Sequence, residues 1–208
     1  MEPKNREEGS QVLSKLARRK ELQAQYGYDL DRERLAVIEA ARPLAGRMLE
    51  AGTGRGHLAL NLARLGYRLV SFDQSAEQLE FARQNLEAHG LAGLVELRQE
   101  DGENLSFADN SFDIIFAVNL VHHLKNPYRV LDELQRVLAP SGKLVISDFN
   151  ERGLAMMAEI HRLEGDEHEV SGVSLEAVEA YLQAKGMNIK KSSTDFELIL
   201  VSTWPGKL

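Results

Sequence analysis

The sequence predicts an α/β fold built on a mostly parallel sheet, and three observations carry that expectation. Short strand-like runs alternate with stretches of helical period from residue 47 to about 148, joined by short connections. Phe112 to Val118 is almost continuously apolar, as a central strand covered on both faces must be. The chain, at 208 residues, 43% apolar and 27% charged, has the size and composition of one folded unit with its own core.

Each element can be justified in turn. Residues 1 to about 12 read as a polar tail. Val12 to Gln25 and Arg32 to Arg42 carry helical patterns, broken by Tyr26-Gly27-Tyr28-Asp29, with Pro43 and Gly46 closing the second. Arg47 to Glu50 is the first strand. It runs into Ala51-Gly52-Thr53-Gly54-Arg55-Gly56 and a leucine-rich helix that Gly66 ends. Arg68 to Phe72 is a second strand ending in Asp73, Ser75 to His89 a helix, and Leu94 to Arg98 a third strand. A polar loop, Gln99 to Ser111, leads to the central strand. Asn126-Pro127 then opens a helix with Val130, Leu131, Leu134, Val137 and Leu138 on one face. Pro140-Ser141-Gly142 reads as its stop, and Lys143 to Ser147 as the fifth strand. Arg152 to Arg162 is weakly helical, and Ser174 can cap a helix running to Lys185. Met187 to Ser193 and Phe196 to Thr203 suit an antiparallel hairpin around Thr194-Asp195.

Composition narrows the function. The absence of cysteine removes disulfides, thiolate metal sites and cysteine nucleophiles. A net charge of −7 disfavours a phosphate backbone as the main partner, although Arg18-Arg19-Lys20 sits near the start and reads as a solvated helix face. No signal-peptide pattern or long apolar run is present, so a cytoplasmic protein with no membrane contact is expected.

Open parallel sheets bind ligands beyond the carboxyl ends of their strands, so the residues just after each strand are the informative ones. After the first comes a G-x-G-x-G loop, whose glycines let the chain turn sharply beside a ligand; a dinucleotide fingerprint would need G-x-G-x-x-G. After the second stands Asp73, 21 residues beyond Gly52, able to accept from both hydroxyls of a ribose or to serve as a helix cap. After the third, Asp101-Gly102 can meet an exocyclic amino group and leave room for a flat base, or form a turn. Together these describe a nucleoside site without a pyrophosphate.

The runs Leu49-Glu50-Ala51-Gly52-Thr53-Gly54-Arg55-Gly56, Val70-Ser71-Phe72-Asp73-Gln74-Ser75 and Asp101 to Asp113 resemble the class I S-adenosylmethionine-dependent methyltransferases, most of all their small-molecule type 11 group. The resemblance covers about Leu44 to Asp148. It implies a Rossmann-like seven-stranded sheet in the order 3-2-1-4-5-7-6, strand seven antiparallel, with helices on both faces. It implies that Glu50 and the loop Gly52, Thr53, Gly54 and Gly56 hold the methionine part of S-adenosylmethionine, and later of the product S-adenosylhomocysteine. Asp73 would bind the ribose, Gln74 would lie beside the adenine, and Asp101 and Gly102 would meet its amino edge. Asn119 would border the methionine moiety and the acceptor pocket. After the fourth strand the chain reads Asn119-Leu120-Val121-His122-His123-Leu124, not Asn-Pro-Pro-Tyr, which argues against methylation of amino groups on DNA bases.

The expected activity is direct in-line methyl transfer to a small-molecule acceptor by a monomer or homodimer. The alternatives are RNA or protein methylation, or a non-methylating nucleoside binder. His122 and His123 are the candidate general bases, because histidine's ordinary pKa of about 6.5 leaves much of it neutral at pH 7. Residues 1–43 are expected to form a helical lid or cap on a methyltransferase domain spanning 44–208, and 151–172 a substrate-covering insertion. His161, Glu164 and His168 have helical spacing that would suit a metal ligand set, but Gly165 interrupts it, so covering the acceptor is the preferred role and no metal is assigned. Tyr26 and Tyr28 either fold over the cofactor or pack a helix onto the sheet. The acids from Glu164 to Glu169, beside Met156 and Met157, suggest a neutral or cationic acceptor.

Overall fold

Alternate residues of each strand point to opposite faces of a sheet, and here they divide the core into two layers. The structure, a computed structural model, describes residues 18–164 and 173–206. A helical segment at 18–25 (α1) precedes α2 (Leu30–Ala40), β1 (Met48–Ala51), α3 (His57–Arg64), β2 (Leu69–Asp73) and α4 (Ala76–Ala88). There follow β3 (Val95–Gln99), β4 (Phe112–Val118), α5 (Pro127–Val137), β5 (Leu138–Phe149), α6 (Glu151–Glu164), α7 (Leu175–Ala184), β6 (Asn188–Ser193) and β7 (Glu197–Thr203). The seven strands form one sheet in the order β3-β2-β1-β4-β5-β7-β6. β7 runs antiparallel to both neighbours, and the other pairings are parallel. The expected architecture is the observed one.

Met48, Leu69, Ile114, Phe116 and Val145 face α2, α3 and α4. Leu49, Val70, Ile115, Ala117, Leu144 and Ile146 face α5 and α7. Burial on both faces explains why β4 reads as an unbroken apolar run.

Local chemistry shifts some boundaries. α2 begins two residues before its apolar period, because the Asp29 carboxylate accepts from the backbone N–H groups of Asp31 and Arg32 at 3.0 and 3.1 Å. Ser174 caps α7 as expected, accepting from Ala177 N–H. The larger departure is β5. Pro140-Ser141-Gly142 reads as a stop, yet the strand starts at Leu138, which pairs with Phe112 before the register shifts and Lys143 pairs with Ile114. Tertiary pairing overrides the turn signal here.

A third, smaller core joins the N-terminal segment to α6. Tyr28, Met156, Ile160 and Phe196 are buried together, with Leu22, Leu30, Phe149 and Met157 packed around them. Arg19 of α1 and Glu164 of α6 form an ion pair across this seam. α6 sits close because residue 153 is glycine: a Cβ there would lie 2.3 Å from the Phe196 carbonyl oxygen and 2.7 Å from Phe149 Cδ1. Gly153→Ala is therefore expected to cost about 1–3 kcal/mol by overpacking, seen as a lowered Tm. An unchanged Tm would show that α6 can shift outward freely. Among the described residues, no helix is long and apolar enough to cross a membrane.

Candidate active site

The rows that are apolar along the sheet become polar at its carboxyl edge. On the α2 face, Met48 is followed by Glu50, Leu69 by Ser71, Val145 by Ser147; in antiparallel β7, Ile199 is preceded by Glu197. On the other face Leu144 and Ile146 lead to Asp148. All five polar residues are buried, so each needs partners, and the partners define the site.

The glycine loop comes first. Gly52 and Thr53 N–H both donate to the Phe72 carbonyl at 2.9 Å, and Gly54 N–H donates to Asp73 Oδ2 at 2.9 Å. Asp73 Oδ1 accepts from Ser75 N–H at 2.9 Å, while Ser75 itself caps α4. Asp73 thus latches the loop, and Ser75 is the helix cap. Gly52 has φ +78°, a backbone conformation that favours glycine, and a Cβ there would also press on the Leu120 side chain, 2.8 Å from Cδ1. Thr53 turns its hydroxyl inward, 2.6 Å from Ser71 Oγ, which leaves only its backbone for a ligand.

A cavity of about 210 Å³ opens beside this loop. Gly52, Asp73, Gln74, Asp101, Gly102 and His123 are among its walls, so six of the sequence-derived site residues meet there. Glu50, Thr53, Gly54, Gly56, Asn119 and His122 lie outside its lining. A larger hollow of about 310 Å³ sits at the amino ends of β1 to β3, away from every one of these groups, and we assign it no chemistry.

The two histidines differ in burial, although their rings pack against each other at a centroid distance of 3.9 Å. Both lie in a 3-10 turn, Val121–His123. His123 is exposed and faces the cavity. His122 is buried, its Nδ1 lies 2.6 Å from Asp148 Oδ1, and its backbone N–H donates to Asp148 Oδ2 at 3.2 Å. A carboxylate on Nδ1 favours the tautomer in which Nε2 is the basic nitrogen.

Asn119 follows β4 in the left-handed region, φ +50°, which asparagine tolerates better than most residues. Its Nδ2 donates to Glu197 Oε1 at 3.2 Å. Glu197 Oε1 also accepts from Arg34 (2.7 Å) and Tyr28 (3.2 Å), and Oε2 accepts from Ser147 (2.6 Å). Burial works against the Arg34 charge, but Glu197 outweighs it and its pKa is raised. Tyr28 therefore packs inside and is pushed further up, chiefly by burial, whereas Tyr26 is exposed. The two tyrosines do not form one lid.

Glu50 accepts from Ser71 Oγ at 2.5 Å. Burial pushes it up to about 8, against the hydrogen bond from Ser71 and the charge of Arg34. Burial, with Arg34 nearby, pushes His57 down to about 4, so that imidazole is neutral near pH 7. For Glu50 the folded value lies above the ordinary 4.5, so its stabilising contribution is full below about 4.5 and is lost as pH rises through about 8. Glu50→Gln is expected to raise Tm relative to the parent chain at pH 8–9 more than at pH 5. Equal differences at both pH values would remove Glu50 as the source.

Of the His161, Glu164 and His168 set, His161 is buried on α6, Glu164 pairs with Arg19, and His168 lies outside the described residues. Among the described residues no group of three or more His, Asp or Glu is placed to hold a metal. Sequence reading missed Asp148, Glu197, Arg34 and Ser71. Asp148 was within reach, since it follows Ser147 at a strand's carboxyl end; Glu197 carried no local signal.

Residues 49–146 match the family model described as "Methyltransferase domain". A phosphatidylethanolamine N-methyltransferase from Cereibacter sphaeroides is 37% identical over 131 residues, 63% of this chain and 63% of that protein. The ubiquinone/menaquinone biosynthesis C-methyltransferase UbiE of Geotalea daltonii is 33% identical over 128 residues, 60% of this chain and 54% of that protein. The chain thus spans under two thirds of these relatives' lengths. Among solved structures, the [4+2]-cyclase SpnF shares the fold at a TM-score of 0.69 and 22% identity, over 84% of this chain and 81% of that one. Over residues 49–146 the chain is thus similar to methyltransferase domains, and over most of its length it shares its fold with the solved structure.

The strand-end residues suit S-adenosylmethionine, the cofactor that the sequence resemblance implies. Its sulfonium and α-ammonium are cationic, and the carboxyl edge holds the buried acids Glu50, Asp148 and Glu197, with Glu197 paired to Arg34 and Asp148 to His122. Asp73 and Asp101-Gly102 border the cavity where a nucleoside would lie.

Proposed function

We propose that this chain transfers a methyl group from S-adenosylmethionine to a small-molecule acceptor by direct in-line displacement. The observation that carries the reading is the Asp73 carboxylate, which pins Gly54 N–H while forming a wall of the cavity. Bound there, S-adenosylmethionine would supply an electrophilic methyl group on a positively charged sulfur. The chain's own work is to hold donor and acceptor in line and to take a proton from an acceptor hydroxyl or amine. His122 is the proposed base, oriented through Nδ1 by Asp148. His123 shapes the cavity wall.

For the acceptor we propose a neutral or cationic compound. The motive is the overall charge of −7, which disfavours a polyanion. The buried acids add little to it, since Glu197 pairs with Arg34, Asp148 with His122, and burial pushes Glu50 up to about 8. The relatives' names cover N- and C-methylation, so the acceptor atom is left open. A second reading, an adenosyl-binding protein with no methyl transfer, is favoured by the likeness to a cyclase.

Calorimetry with S-adenosylhomocysteine and NAD tests the cofactor: one S-adenosylhomocysteine per chain and no NAD is the expected result. Saturable NAD binding without any response to the adenosyl ligand would end the reading. Label transfer from methyl-labelled cofactor to neutral, cationic and anionic acceptors tests the rest. Turnover only on nucleic acid or a polyanion would overturn the acceptor assignment, and binding without transfer across the panel would favour the second reading.

A further inference from the structure

Asn119 combines two features that cost the fold stability. Its backbone is left-handed, and among the described residues its Oδ1 is one of two buried side-chain polar atoms without a hydrogen-bond partner, the other being Ser202 Oγ. The carboxamide's orientation is set by Glu197. A carboxylate can only accept, so the asparagine NH₂ must face it and the amide oxygen must turn away. Glu197 is itself held: Arg34, Tyr28 and Asn119 converge on Oε1, and Ser147 on Oε2. Arg34 and Tyr28 come from the N-terminal segment, Ser147 from the end of β5, and Glu197 from the first residue of β7. Four donors on one buried carboxylate leave it little freedom to swing.

We propose that Glu197 is a positioning residue for the cofactor, acting through Asn119. Its carboxylate fixes the Asn119 amide so that the buried Oδ1 receives a donor-only group, the α-ammonium of the cofactor's methionine moiety. The assignment rests on the methyltransferase reading above. It also ties the N-terminal segment to the site, since the donors that immobilise Glu197 belong to that segment. The backbone cost at Asn119 and its unpartnered oxygen then belong to a site prepared for a cation, in the region where buried acids already collect.

The test is a double-mutant cycle on S-adenosylhomocysteine affinity, measured by calorimetry with Glu197→Gln, Asn119→Ala and the pair. A glutamine at 197 keeps the size, loses the charge, and offers one oxygen to four donors. Each single variant is expected to weaken binding about tenfold, and the pair no more than about twofold beyond Asn119→Ala alone. A purely structural role for Glu197 would lower Tm and leave the affinity of the folded fraction unchanged. Since Glu197→Gln leaves Arg34 without its counter-charge, Arg34→Gln/Glu197→Gln supplies the same comparison in a charge-balanced background should the single variant not fold. Unchanged affinity in the Glu197 variants, or losses that multiply in the pair, would overturn the proposal. Failure of the parent chain to bind S-adenosylhomocysteine would instead overturn the reading beneath it.

Discussion

Replacing His122 with alanine is expected to lower kcat by about 10²- to 10⁴-fold on an acceptor that must lose a proton, with little change in cofactor affinity. The geometry gives the direction. Asp148 holds Nδ1 at 2.6 Å and the backbone N–H at 3.2 Å, so the ring is clamped in one plane at the end of β5. The loss should appear in kcat and kcat/KM alike, as for an interaction made in the transition state. Asp148→Asn should lower kcat less than His122→Ala, because it alters the ring's orientation and tautomer and leaves the base present. His123→Ala, an exposed wall position, should act mainly on KM. Full activity in His122→Ala would mean that alignment alone carries the reaction.

The second large effect is expected at Asp73. Asp73→Ala should weaken S-adenosylhomocysteine binding by about 1.5–3 kcal/mol, roughly 10- to 150-fold. Two losses combine: the acceptor for the ligand's ribose hydroxyls, and the latch on Gly54 and Ser75 N–H. Asp73→Asn separates them, since its single amide oxygen can serve one donor set at a time and should give an intermediate loss. Both variants need a melting curve alongside. Parent-like affinity in a folded Asp73→Ala protein would remove the residue from the ribose role.

The readable part of this protein is the part written locally. The period-two rows, the glycine loop, Asp73 after β2 and the Ser174 cap each depend on residues within a turn or two, and all are where the sequence puts them. The cavity brings Asp101-Gly102 and His123 to the same place, because every parallel strand delivers its carboxyl end to one edge. What was not readable depends on distant pairing. Glu197 sits 163 residues from Arg34 and looks like any charge in a hairpin. Adjacent histidines in a 3-10 turn differ in burial and in their contact with Asp148 although their rings touch, which a pattern of letters cannot separate. Tyr26 and Tyr28 differ in the same way. The early start of β5 is hidden because Pro140-Ser141-Gly142 is a turn signal unless Phe112 is there to pair with Leu138.

The place of β7 in the sheet bears on how the chain is made. Although β7 spans residues 197–203, it lies between β5 and β6, and its first residue is the counter-ion of Arg34. During synthesis the amino-terminal helices emerge long before their charge partner exists. Until residue 197 leaves the ribosome, Arg34 has no Glu197 to pair with, the Tyr28 hydroxyl lacks its acceptor, and β5 has an open edge. A nascent chain stalled before β7 should hold β1 to β4 in a protease-resistant form while residues 18–40 stay open to cleavage. Completion of the hairpin would then close the N-terminal segment in the same step that orders Asn119, so the site waits for the seventh strand of the sheet.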